Sequence, residues 1–340
     1  MLEGLKPLAQ RIREARERLS ENAAEIRKGN AAPAGLEEGA LAITIGKAEA
    51  DFSVCAVDGG LLADRFVGSD ILVRRAAAVR FCYEKGRLSS VEHYPEKFPA
   101  SQVDFRSGLD EHEALVFRSL VRLRGEISLA IETVDKFRPD YLLLDGSLAP
   151  LGSDRPGDES TLREEYDSLL ASYKKLYEKC GSLNCQLVGV IKDSRGKRLA
   201  EILGGLLAVD APDAVLVDAL LKEGERTSTM AYSQEPQKHQ VLRGLGGWGG
   251  RIRLFYMKPS AEDMPLRVEF MQSEKKPGEI ASALGSLCSI SRAFAYPAAL
   301  IEADMCAALK PLEMESIKRS LFALAGGAAR PLRRAERPFR

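Results

Sequence analysis

The sequence predicts an α/β fold in which a mixed β-sheet is flanked by helices, and three observations predict it. Short apolar runs of strand character recur along the first half of the chain, and long amphipathic helical stretches separate the later ones. The fully apolar run Tyr141–Leu144 has the composition of a central strand covered on both faces. Antiparallel-looking strands followed by β-α-β alternation put both kinds of pairing into one sheet. With 340 residues, 45% hydrophobic and 29% charged, the chain can close one large core and is too apolar to stay disordered.

Residues 1–30 read as an N-terminal helical arm: Leu2, Leu5, Leu8, Ile12, Leu19, Ala23 and Ile26 recur at helical spacing between Arg and Glu. Such a helix either packs on its own domain or serves as a dimer or docking contact. Gly29 to Gly39, with Pro33, reads as a linker, and one domain is expected over 40–325. Phe52–Val57 is a strand ending at Asp58-Gly59-Gly60; Ile71–Val73 and Ala77–Tyr83 follow as two more. Glu111 to Phe137 is a long helix with one apolar face, stopped by Pro139.

The central strand Tyr141–Leu144 ends at Asp145-Gly146-Ser147. A helix from Thr161 to Lys179, the strand Gln186–Ile191, a charged turn Lys192–Arg198 and further helices through Leu221 come next. Leu254–Met257 and Leu266–Phe270 are late strands, and the remainder is helical to Gly326. Residues 326–340 hold five Arg against Glu336 alone and are expected to form a mobile basic tail.

Composition excludes several classes of function. Lys plus Arg equals Asp plus Glu at 49 each, so nucleic acid is not held by bulk charge, although a local basic groove is compatible with that balance. No apolar run approaches the roughly 18 residues of a membrane span. The start lacks the order of a signal peptide, so the chain is expected in the cytoplasm. Six cysteines are too sparse for a disulfide scaffold; Cys180 and Cys185 lack zinc-ligand spacing, and His93, His112 and His239 fall in no metal-binding pattern. No GxxxxGK[ST] occurs. Gly244–Gly249 satisfies GxGxxG but precedes a strand instead of following one, so it reads as a flexible loop that could touch substrate through Arg243, Arg251 and Trp248.

The informative constellation is the pair of Asp-Gly turns. Asp58 and Asp145 each stand where an apolar strand ends, and carboxylates at neighbouring strand ends can share one space suited to Mg²⁺ or Mn²⁺. Turn chemistry alone also accounts for an Asp-Gly pair. A third carboxylate is expected from the intervening helix, with Glu126 as first choice and Glu132 in reserve. Lys192, Arg195, Lys197 and Arg198 gather positive charge at a third strand end, as a phosphodiester substrate requires. Tyr296 and Asp304, eight apart on a helix opened by Pro297, fall on roughly one face.

Taken together these segments resemble the NurA nuclease family. The resemblance is carried by Ala56-Val57-Asp58-Gly59-Gly60, Leu143-Leu144-Asp145-Gly146-Ser147-Leu148 and Val190-Ile191-Lys192-Asp193-Ser194. Asp218 with Gly224-Glu225-Arg226-Thr227, and Tyr296-Pro297 through Leu300, follow in the same order. It implies an RNase H-like core and a site with one or two Mn²⁺ (or Mg²⁺) ions held by Asp58, Glu126 and Asp145. Tyr296 falls on the family's active-site Tyr, and Asp304 is a further candidate metal ligand. The implied activity is 5′-to-3′ exonuclease on single- and double-stranded DNA with single-strand endonuclease. The implied setting is a dimer that works with the hexameric HerA translocase in DNA end resection. A DNA-binding adaptor of the same fold is the alternative. Two positions depart from the family: Gly60 stands where Ser is usual, and Asp304 where His is common. A carboxylate can bind a hard cation but cannot supply the neutral donor or acceptor of an imidazole.

Overall fold

The computed structural model describes residues 2–29, 32–66, 68–204 and 211–325. The basic tail expected over 326–340 lies outside the described residues.

The chain opens with α1 (Leu2–Gly29) and β1 (Ala42–Thr44), followed by the long hairpin of β2 (Phe52–Phe66) and β3 (Ser69–Glu84). β4 (Arg87–Tyr94) and β5 (Gln102–Ser107) lead into α2 (Glu111–Phe137). β6 (Tyr141–Asp145), α3 (Arg163–Ser182) and β7 (Gln186–Ile191) form a parallel crossover unit. α4 (Arg198–Leu203), α5 (Asp213–Leu220), β8 (Glu225–Thr227) and β9 (Met230–Ala231) precede the hairpin of β10 (Ile252–Lys258) and β11 (Leu266–Met271). The described chain ends with α6 (Pro277–Leu287), α7 (Ala298–Ala307) and α8 (Pro311–Ala325).

The strands make one mixed sheet in the order β1-β8-β10-β11-β7-β6-β2-β3-β4, with β5 on β3 and β9 on β10. β2, β6 and β7 run parallel; β2, β3 and β4 pair antiparallel. Strand alternation then sorts the core into two layers. Cys55, Val57, Leu142 and Leu144 pack with α2 and α3 on one face. Val54, Ala56, Tyr141 and Leu143 pack with α6 and α7 on the other. Helix α2 starts on an Asp110–Glu113 capping box and stops at Arg138, whose φ of 44° turns the chain into Pro139.

Several expectations are corrected. Phe52–Val57 does not end at Asp58: β2 runs on to Phe66, and the two strands expected at 71–73 and 77–83 are one strand, β3. The glycines and the polar residues Arg74 and Arg75 interrupt the apolar pattern without interrupting the hydrogen-bond ladder. β4 and β5 went unseen because their side chains are largely solvent-facing and carry little apolar alternation. Gly244–Gly249 is no flexible loop. It lies in a packed 3₁₀ segment, Leu242–Arg251, with Leu242, Leu245 and Gly249 buried and Gly244 tight against Leu170 of α3.

The C-terminal half of α1 packs on the domain. Leu19 and Ala23 are buried with Leu216 and Leu220 of α5, and Arg27 bonds Glu225 at 2.6 and 2.7 Å, while Leu5, Leu8 and Ile12 are exposed. The segment expected to be a linker is also stitched down, since Glu38 accepts two 2.6 Å bonds from Arg226 and further ones from Thr229.

Candidate active site

The register of β2 on β6 runs from Val54 with Tyr141 to Val57 with Leu144. Its next step sets Asp58 beside Asp145, both on the sheet face that α6 and α7 cover. Glu126 comes from α2, on the opposite face. It reaches the same place because Gly59 has no side chain: a Cβ there would stand 2.6 Å from Glu126 Oε1. The next residue faces the other way, and a Cβ on Gly60 would collide with the carbonyl oxygen of Ala307, at the end of α7. The two glycines of the Asp-Gly-Gly motif therefore provide room on opposite faces within a strand. Only the second motif is a turn, where Gly146 has φ of 127° at the end of β6.

α7 brings in the fourth carboxylate, Asp304, whose charge acts on the Asp58 carboxyl. Asp58 is buried and has its pKa pushed up to about 7, first by loss of solvent and then by the charges of Asp145 and Asp304. The Gly59 N–H, 2.7 Å from Asp58 Oδ1, opposes that rise. Glu126, equally buried, is pushed up to about 8 by burial, then by Asp58 and Asp145, against the stabilising guanidinium of Arg122 at 2.6 Å. Acidic groups that repel one another when ionised are a hard, oxygen-only donor set, and this fits a divalent cation of the Mg²⁺ or Mn²⁺ kind.

Asp145 and Glu126 also lean on positive or hydroxyl partners, Arg122 in the case of Glu126. Asp145 accepts from Tyr296 Oη at 2.9 Å and pairs with Lys192 Nζ at 3.1 Å. Tyr296 is buried, also donates to the Val190 carbonyl at 3.1 Å, and lies under the Lys192 ammonium, 4.0 Å from its ring centroid. Burial and Asp145 hold its phenol well above the usual value, so it stays a neutral donor.

Glu126, Asp145, Lys192 and Arg195 line a cleft of about 540 Å³ that runs on past Ser147 to Arg267 and Glu269. Of the other residues expected to meet phosphate, Lys197 caps α4 outside that lining. Arg198 is turned into the protein, donating to the Ala231 carbonyl at 3.1 Å and pairing with Glu201. Glu132 lies away from the cluster, bonded to the Tyr94 hydroxyl at 3.2 Å, which leaves Glu126 as the helical carboxylate of the site. Trp248 lies against Tyr177 and Arg251 beside a separate cavity. The motif at 218–227 also lies elsewhere: Asp218 pairs with Lys258 at 2.7 Å, while Glu225 and Arg226 fasten α1 and the segment after it.

Two contributors escaped sequence reasoning. Arg122 sits one helical turn before Glu126, a spacing that could have announced the pair. Glu269 is buried in β11, where it accepts from Ser147 Oγ at 2.7 Å, Leu148 N at 2.9 Å and Arg267, and so fixes the loop that follows Asp145. A charged residue inside the otherwise apolar run 266–271 was its signal.

Known proteins share this architecture. The NurA nuclease from Sulfolobus solfataricus superimposes with a TM-score of 0.62 at 17% identity, over 96% of this chain and 95% of that one. A NurA structure bound to dAMP and manganese gives 0.57 at 12% identity, covering 96% and 97%. Another NurA structure with manganese gives 0.55 at 14%, covering 94% and 98%. No curated protein matches by sequence. The family model described as the NurA domain matches residues 52–309, which span β2 through α7 and hold every carboxylate of the cluster; the chain therefore belongs to the NurA family.

Proposed function

We propose that this protein is a metal-dependent DNA nuclease whose active site is the Asp58, Glu126, Asp145 and Asp304 cluster. The observation that carries the reading is the convergence of carboxylates from β2, α2, β6 and α7 beside a cleft lined by Lys192 and Arg195. The NurA structures solved with manganese and with dAMP support both the cation and the class of substrate.

Asp58, Glu126 and Asp145 would hold Mn²⁺ or Mg²⁺, one or two ions, with Asp304 as a further ligand. A cation so bound lowers the pKa of its water and offsets charge on the phosphate. The protein's own residues do the rest. Asp58 and Glu126 would hold the cation as carboxylates, their protons passing to solvent. Tyr296 fixes the orientation of Asp145 through its 2.9 Å bond, and Arg122 fixes Glu126. Lys192 and Arg195 contact the phosphates that flank the cut, a role that makes binding fall with salt. The β4-β3-β2-β6-β7 part of the sheet is read as the RNase H-like core on which these groups stand.

Family membership extends the proposal to 5′-to-3′ exonuclease on single- and double-stranded DNA, single-strand endonuclease, a dimeric state, and action with a HerA-type hexameric ATPase in end resection. The described helices do not add a membrane: none is long and apolar enough to cross one.

The deciding experiment incubates the purified protein and its Asp58→Ala variant with Mn²⁺ and end-labelled single- and double-stranded DNA, with RNA alongside. Wild type should release nucleotides from DNA and Asp58→Ala should not. Equal cleavage by the two proteins removes Asp58 from the mechanism. A shifted band without products favours the alternative, a DNA-binding adaptor, for which Asp304 at the common His position is the motivating feature.

A further inference from the structure

We propose that His93, Glu302 and Cys306 form a second cation site, suited to Zn²⁺ and chemically distinct from the carboxylate cluster. Among the described residues, this is the one trio of His, Cys, Asp or Glu side chains whose ligand atoms all lie within 4.8 Å of one another. The inference is independent of the nuclease reading.

Glu302 and Cys306 are one turn apart on α7, so they share a face, and β4 presents His93 to it. His93 Nε2 lies 2.9 Å from Glu302 Oε1, and Cys306 Sγ lies 3.9 Å from the same oxygen. Zinc bonds of about 2.0 Å to N and O and about 2.3 Å to S set tetrahedral ligand–ligand edges of roughly 3.3–3.6 Å. The observed separations straddle that value, so small side-chain rotations close the site without moving the backbone. Cys306 is buried while His93 and Glu302 are partly exposed, which supplies both an anchored sulfur and a way in for the ion and a fourth, water ligand.

Ligand type decides the metal. Imidazole and thiolate favour a borderline-soft ion, whereas the oxygen-only cluster favours a hard one, so the two sites would sort zinc from manganese. Cys306 binds as the thiolate and its proton passes to solvent. One contact competes: Lys97 Nζ pairs with Glu302 Oε1 at 3.3 Å. Lys97 is 55% exposed and free to swing into water, so it acts as a removable competitor. A bound ion would tie α7 to β4, and α7 carries Asp304 between the two helical ligands.

The test titrates full-length protein, stripped of metal, with Co²⁺ as a spectroscopic stand-in and with Zn²⁺ by calorimetry. Wild type and an Asp58→Asn, Asp145→Asn double variant should both develop a thiolate-to-cobalt absorption band that corresponds to one Co²⁺, whatever further Co²⁺ the carboxylate cluster of wild type takes up. Cys306→Ser should lose the band. His93→Gln should weaken Zn²⁺ by more than the roughly 10–100-fold that loss of an outer partner costs, and Lys97→Ala should tighten it. Zn²⁺ should raise the melting temperature of wild type and leave Cys306→Ser unmoved. A missing band in wild type, a band that survives in Cys306→Ser, or unchanged Zn²⁺ affinity in His93→Gln overturns the proposal. His93→Gln, on a partly exposed strand, keeps the test decisive if Cys306→Ser fails to fold.

Discussion

Asp58 and Asp145 are neighbours across one parallel strand pair, a single step beyond the Val57–Leu144 pairing of β2 and β6. Strand alternation points both carboxylates to the same face, where Tyr296 and Asp304 meet them. Glu126 joins from the opposite face only because β2 carries glycine at the crossing point.

Gly59→Ala tests that passage. The new methyl would sit 2.6 Å from Glu126 Oε1 and 2.7 Å from its Cγ, so the side chain must swing aside while the backbone stays. Displacement by about 1 Å can cost about 100-fold in rate. Nuclease assays should therefore show a loss of that order with a melting temperature close to wild type; full activity would mean that Glu126 need not pass Gly59.

Gly60→Ser should behave in the opposite way. It installs the residue usual in the family, yet here the obstacle is backbone, the Ala307 carbonyl, which cannot rotate away. Overpacking of this kind costs about 1–3 kcal/mol. Chemical denaturation should register that loss, and an unchanged midpoint would show that the end of α7 is free to retreat.

Asp304→His restores the family's usual residue and removes one like charge from beside Asp58. With that source of repulsion gone, the Asp58 pKa falls from about 7. Cleavage assayed with Mn²⁺ across pH should then keep its rate to lower pH than wild type does. An acid limb that stays in place would separate Asp304 from Asp58.

Stability should depend on pH with a sign set by the same groups. Asp58 and Glu126 hold protons to about pH 7 and 8 in the folded protein, whereas the unfolded chain releases them near the ordinary carboxylate values. The folded state therefore binds more protons between roughly pH 4 and pH 8, and without divalent cations stability falls as pH rises through that window. Asp58→Asn removes its share. Its advantage over wild type should be absent near pH 4 and reach about 4 kcal/mol above pH 8, because each pH unit between the folded and unfolded titrations is worth about 1.4 kcal/mol. Equal melting of the two proteins at pH 8 in chelator would contradict this account.

Much of this protein was legible in its sequence. The long helix over Glu111–Phe137 was fixed by periodicity, because apolar spacing reports which face a helix buries, and the strands at Tyr141 and Gln186 by short apolar runs that suit burial on both faces. Asp58, Asp145 and Tyr296 were nominated by motifs and Glu126 by its place on the intervening helix, and tertiary structure sets them near one another. The sequence could not say that Asp-Gly-Gly lies inside a strand, since a glycine needed for space and one needed for a turn are written with the same letter. It could not turn Arg198 inward, select Glu126 over Glu132, or set His93 against Glu302 and Cys306. Those choices depend on which surfaces meet when β4, α2 and α7 pack on one sheet, and contact between segments distant in the chain leaves no local periodicity to read.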